Sequence, residues 1–199
     1  MTKLRFVTHL PPKLCFAHSG HTVHNRYQVR ETQAAHFITS TIVEWLPVFT
    51  TAACCDILVE SLAFCRERKG LLIHAWVIMD NHFHAVVSGP ELAATIRDLK
   101  KFTARRLLEQ IKLEGREWLL NQLAYYCLPG KTRSDHQVWQ EGFHPQALMT
   151  DEMMLQKIEY LHRNPVARGW VAMPEHWRYS SAHEWRERAR PVLRSDPWR

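Results

Sequence analysis

The sequence predicts an α+β protein: a ferredoxin-like antiparallel sheet with helices packed on it. Three observations point there. Two apolar runs, Leu71 to Met79 and His82 to Val87, are parted only by the turn pair Asp80-Asn81, which makes an antiparallel hairpin. A β-rich segment and then a helical one precede this hairpin, and helical, extended and helical segments follow it. Strand-helix-strand twice over, joined by a central hairpin, is the ferredoxin-like order.

Each element has its own warrant. Ala35 to Trp45 is dense in β-branched and aromatic residues, which predicts a strand, with Pro47 just beyond its end. In residues 52 to 69, Ile57, Leu58, Leu62 and Cys65 recur at helical spacing. Arg66, Arg68 and Lys69 load the last turn of that helix and Gly70 stops it. Leu71 to Met79 is nearly all apolar, as a central strand requires, and the strand after it is closed by Ser-Gly-Pro at 88 to 90. A longer helix runs from Glu91 to Leu113, with Leu92, Ile96, Leu99 and Thr103 on one side. Arg97, Lys100, Lys101 and Arg105 cluster on its adjacent side. Arg116 to Tyr126 is again helical, residues 130 to 137 are a polar loop, and Val138 to Leu148 is extended. Thr150-Asp151-Glu152 starts the last helix with a capping hydroxyl and two acids in the first turn. Met154, Ile158 and Leu161 form its apolar stripe, and Pro165 is expected to end it near Asn164. Residues 1–34 read as an irregular arm, 35–185 as one domain and 186–199 as a tail.

Composition narrows the function classes. A hydrophobic fraction of 46% in 199 residues supports a real core and excludes wholesale disorder. The net charge of +6 favours a polyanionic partner. Five cysteines, Cys15, Cys54, Cys55, Cys65 and Cys127, show no Cys-x-x-Cys spacing, which argues against a zinc ribbon and for a reducing compartment. No apolar run is long enough for a signal peptide or a transmembrane helix, so a cytoplasmic protein without membrane attachment is expected.

Two motifs carry chemistry. In Asn81-His82-Phe83-His84 the two histidines are two apart on a strand, so they project from the same face while Phe83 points into the core. Two adjacent imidazoles are a natural pair of ligands for a divalent cation, though His-x-His alone is a weak signal that more often describes two solvated side chains on an exposed strand face. In Tyr160-Leu161-His162-Arg163-Asn164-Pro165-Val166, Tyr160 and Asn164 share a helical face. A tyrosine hydroxyl can attack a phosphodiester when a metal draws charge from the phosphate, and an Asn oxygen can complete such a metal's shell. By itself this segment more readily describes a packed tyrosine and an asparagine that caps the helix before Pro165. The basic residues Arg97, Lys100, Lys101 and Arg105 suit phosphate tracking, or an ordinary solvated face. Trp139, Phe143, Trp170, Trp177 and Trp185 are candidates for base stacking or for the core.

Taken in order, the His-x-His hairpin, the basic helix, Val-Trp-Gln-Glu-Gly-Phe-His at 138–144 and Tyr-x-x-x-Asn-Pro-Val resemble the IS200-like transposases. Within them the set is closest to the REP-associated tyrosine transposases, over roughly residues 36–185. Trp177-Arg178-Tyr179-Ser180-Ser181 is similar to the family's W-x-x-S-S ending. The resemblance implies an HUH endonuclease fold, HUH standing for His, hydrophobic residue, His, acting on single-stranded DNA with hairpin repeats. It implies His82 and His84 as metal ligands, Asn164 as the third ligand, and Mg²⁺ or Mn²⁺ as the ion. Tyr160 becomes the nucleophile that forms a 5′-phosphotyrosine and frees a 3′-hydroxyl. A homodimer is compatible with this reading. The segment from Arg116 to Asp135 is long for the family, and the first 34 residues have no clear counterpart. Competing readings are a non-cleaving DNA-binding protein of the same fold and a metal-dependent hydrolase of a small substrate, which would survive Tyr160→Phe.

Overall fold

The computed structural model describes residues 34–127, 135–186 and 191–198. The expected arm, Cys15 within it, and most of the polar loop after residue 130 lie outside the described residues. The chain runs β1 (Ala35–Thr41), α1 (Ala52–Lys69), β2 (Leu72–Ile78), β3 (His82–Ser88), α2 (Leu92–Leu113), α3 (Glu117–Tyr125), β4 (Gln146–Leu148) and α4 (Asp151–Ala167). The strands form one antiparallel sheet in the order β2-β3-β1-β4, the ferredoxin-like order.

Alternation along the strands sorts the core into two halves. Ile38, Ile42, Phe83, Ala85 and Val87 face one side, where they pack with Leu58 and Leu62 of α1 and Ile96 and Leu99 of α2. Phe37, Ala75, Val77 and Val86 face the other side and pack with Met154, Ile158 and Leu161 of α4. α1 starts at Thr51, whose hydroxyl accepts from Cys54 N at 3.4 Å, and ends at Gly70 in the left-handed region (φ 66). Cys54, Cys55 and Cys65 are buried free thiols, and burial pushes Cys55 up to about 12. Arg116 links loops that sequence spacing leaves unrelated, since its guanidinium donates to Pro47 O at 2.8 Å, Val48 O at 3.1 Å and Thr50 Oγ1 at 2.9 Å.

Four expectations need correction. β1 stops at Thr41, and the chain then makes a short 3-10 turn, Val43–Trp45, in which Glu44 (φ 47) and Trp45 (φ 56) are both left-handed. Only Gln146–Leu148 of the long extended segment pairs as a strand. Gly142 (φ 95) turns the preceding chain, which α2 holds through Lys100 Nζ donating to Gln140 O at 2.7 Å. The last helix passes through Pro165 to Ala167 instead of ending at Asn164. Proline there leaves the Leu161 carbonyl without its helical donor, but Pro165 is buried, and tertiary packing outweighs the local preference.

The fourth correction concerns the end of the chain, which is part of the fold and not a tail. Ile78 N donates to Tyr179 O at 2.8 Å, Ser181 N to Trp76 O at 2.9 Å and Asp196 N to Ile73 O at 2.7 Å. The Trp177 indole donates to Ile78 O at 2.9 Å, and the Trp76 indole donates to Leu193 O at 3.1 Å. The segment resembling W-x-x-S-S therefore closes the outer edge of β2. Such an edge would otherwise present unpaired backbone groups. Among the described residues no helix is long and apolar enough to cross a membrane.

Candidate functional site

The hairpin turn fixes one imidazole directly. Asn81 Nδ2 donates to the carbonyl of Trp45 at 3.2 Å, which orients the amide, because a carbonyl can only accept. Its Oδ1 then faces His82 Nδ1 at 2.6 Å, so that nitrogen carries the proton and Nε2 keeps the lone pair. Cross-strand register fixes the other. Thr39 lies opposite His84 in the β1–β3 pair, and its hydroxyl is 2.8 Å from His84 Nδ1. With the hydroxyl accepting, His84 also offers Nε2. The two rings are 4.6 Å apart between centroids, on the α4 side of the sheet.

Both histidines are buried, not solvated: His82 is 5% exposed and His84 6%. Burial lowers His82 to about 4, assisted by the positive charge of Arg168. Burial lowers His84 to about 3, assisted by His82 and by Lys157. Both are therefore neutral at neutral pH, the form in which imidazole donates a lone pair.

α4 brings Tyr160 to this pair. Its ring lies 5.6 Å from His84, and it is 51% exposed. Phe37 is the floor between them, stacked on His84 at 5.2 Å and edge-on to Tyr160 at 5.9 Å. Asn164 follows one turn later, and its Nδ2 donates back to Tyr160 O at 2.8 Å. Among the described residues no hydrogen bond joins Asn164 to either imidazole, and no group of three His, Cys, Asp or Glu surrounds the pair. Because α4 continues past Pro165, Arg168 lies a further turn along from Asn164.

The structure thus assembles His82, His84, Tyr160 and, at one remove, Asn164. It does not bring the basic helix to them. α2 packs on the opposite side of the sheet, where Lys100 is occupied by Gln140 O and Gly142 O and Arg105 pairs with Glu109. Arg97 pairs with Asp98 on α2 itself. Of the candidate aromatics, Trp139 is buried against Phe49 and Phe83, while Trp170 packs on Trp177. Trp45, Phe37, Thr39 and Lys157 were not singled out by sequence. For Phe37 and Thr39 the signal is strand parity with the histidines once β1 and β3 are paired. For Lys157 it is the three-residue spacing from Tyr160.

A solved structure of a REP-associated tyrosine transposase bound to a REP hairpin matches the fold with a TM-score of 0.59 at 18% sequence identity, covering 89% of this chain and 93% of that one. The REP-associated tyrosine transposase of Escherichia coli (strain K12) is 24% identical over 115 residues, 56% of this chain and 54% of the relative. In fold and in sequence, this chain resembles the REP-associated tyrosine transposases. A Haemophilus influenzae protein provisionally named as another REP-associated tyrosine transposase is 24% identical over 106 residues, 53% of this chain and 56% of the relative. The chain spans about half the length of these curated relatives. No family profile matches it.

Proposed function

We propose that the chain is a transposase-type, divalent-metal-dependent enzyme that cleaves and rejoins single-stranded DNA at hairpin-forming repeats, with Tyr160 as nucleophile. The observation that carries this reading is the contact of an exposed tyrosine ring with a buried pair of neutral histidines. The relatives' designation and the hairpin bound to the structural neighbour support the choice of DNA substrate.

The donor set suits a metal. Asn81 and Thr39 occupy the Nδ1 atoms and direct both Nε2 lone pairs outward, the outer-sphere arrangement that metal-binding histidines use. His82, His84 and the Asn164 oxygen would hold Mg²⁺ or Mn²⁺, which when bound draws charge from the phosphate under attack. Tyr160 Oη then forms a bond to phosphorus, and the bond from phosphorus to the 3′ oxygen breaks. The phenolic proton leaves to solvent, to which Tyr160 is open, and the departing oxygen takes a proton to become the 3′-hydroxyl. The 5′-phosphotyrosine retains the ester bond, so a 3′-hydroxyl can attack it and rejoin a strand.

The test is a covalent-adduct assay. Hairpin oligonucleotides labelled 3′ of the cleavage point are incubated with Mn²⁺ or Mg²⁺ and run on a denaturing protein gel. Label should migrate with the wild-type chain only when metal is present, and never with Tyr160→Phe. Metal-dependent turnover that survives Tyr160→Phe would instead indicate activated water. That no third strong ligand stands beside the pair among the described residues favours, as a second reading, a non-cleaving DNA-binding protein of the same fold. Hairpin binding without adduct would select it.

A further inference from the structure

We infer that Lys157 is the phosphate anchor of this site: its ammonium pairs with a non-bridging oxygen of the phosphodiester presented to Tyr160. The inference rests on the DNA-cleaving reading above and adds to it the residue that seats the scissile linkage.

Lys157 lies three residues before Tyr160 on α4, so the two side chains leave neighbouring positions on one helical face. Its Nζ stands 4.9 Å from the centre of the Phe37 ring and 5.7 Å from that of Tyr160. Phe37 is in turn stacked on His84 at 5.2 Å. One aromatic platform therefore holds the ammonium, the phenol ring and an imidazole together.

Most other cations near the core are already engaged. Lys69 pairs with Asp98, Arg116 with Glu114, Arg163 with Glu159, and Lys100 donates to two backbone carbonyls. Lys157 has no ion-pair partner among the described residues. It is half-buried, so it has given up part of its hydration while gaining only the faces of two rings. A phosphodiester oxygen arriving at Tyr160 supplies the missing anion. A compact ammonium suits that role, because it follows the phosphate as the geometry at phosphorus changes. Arg168, whose positive charge also reaches His82, is exposed and caps the C-terminus of the helix, and no aromatic ring of the Phe37 platform holds it.

The experiment uses the full chain carrying Tyr160→Phe, loaded with Mn²⁺, and measures anisotropy of a labelled hairpin oligonucleotide with a single-stranded flank. Lys157→Met preserves the hydrocarbon over Phe37 and removes the charge; Lys157→Arg preserves the charge. The Met variant should bind about tenfold more weakly, and its slope of log affinity against log salt should be shallower by ~0.7, the loss of one single-strand phosphate contact. The Arg variant should keep the wild-type slope. Oligonucleotides with one uncharged methylphosphonate at each successive linkage locate the contact. At the scissile linkage the methylphosphonate should weaken the parent clearly more than the Met variant, which has already lost the lysine's share of the contact.

An unchanged salt slope in Lys157→Met overturns the assignment, as does equal loss in Met and Arg variants. So does additivity of Lys157→Met with the methylphosphonate at the scissile linkage. If the wild-type chain forms its adduct while Lys157→Met binds normally, the anchor fails and the enzymatic reading stands. If the wild-type chain neither binds hairpins nor forms an adduct, both fail.

Discussion

Asn81→Ala tests how the hairpin prepares the histidine pair. The native amide is 7% exposed and makes two contacts, 2.6 Å to His82 Nδ1 and 3.2 Å to Trp45 O. Truncation leaves a buried imidazole N–H without its acceptor, which costs about 1–3 kcal/mol. The Trp45 carbonyl belongs to an exposed residue and can turn to water, so the smaller part of the loss comes from there. If the histidine pair holds a metal as proposed, the larger effect falls on its binding. An imidazole whose tautomer and ring orientation are no longer fixed binds a cation ~10–100-fold more weakly. Mn²⁺ titration by calorimetry, with the adduct assay run in parallel, should show the midpoint rising by that factor. Asn81→Asp retains an acceptor for His82 Nδ1 and should recover most of the affinity, although it cannot donate to Trp45 O. A Mn²⁺ midpoint that is unchanged in Asn81→Ala, while His82→Ala abolishes binding, would refute the argument that the turn amide orients the ligand.

Acid should unfold the chain from within. His162 is buried against the Ser181 hydroxyl at 2.8 Å, and burial, with the charge of His183, lowers it from 6.5 to about 4. Between those values the unfolded chain binds a proton that the folded chain refuses. Stability is therefore complete above about pH 6.5 and falls towards pH 4, by roughly 3 kcal/mol for this residue. Urea melts across that range should show the fall, with His162→Gln less steep; parallel curves would refute the assignment to His162. Phe83→Ala removes a ring with 0% exposure that packs 5.8 Å from Trp139, and should cost about 3–5 kcal/mol in denaturant unfolding. A cost below about 1 kcal/mol would mean that the core beneath the histidines is not close-packed.

Much of the fold was legible because punctuation marks its elements. Gly70, the Asp80-Asn81 turn, Ser-Gly-Pro at 88–90 and the Thr150 cap each sit at an observed boundary. Parity was enough to put His82 and His84 on one face, but it carries no information about depth. Their burial comes from α4 and from Phe37, which are distant in sequence. A helix's apolar stripe tells which side is buried but not which face of the sheet it meets, and so the sequence left open that α2 and its basic side lie across the sheet from the histidine pair. Pro165 misled because its local preference was taken without the burial that overrides it. Two successive left-handed residues, neither of them glycine, have no sequence signal, so the turn that carries Trp45 edge-on to His82 at 5.7 Å was invisible.

The covering of β2 by residues 177–181 and 193–196 has a consequence for how the chain is made. β2 emerges from the ribosome about a hundred residues before the segments that satisfy its outer backbone. Through that interval its edge is open to pairing with any other extended chain, including another nascent copy. Nonsense truncation before Trp177 should therefore yield aggregate more than a shortened folded chain. Once the last segments dock, the same edge is closed, and two finished copies cannot join their sheets through β2.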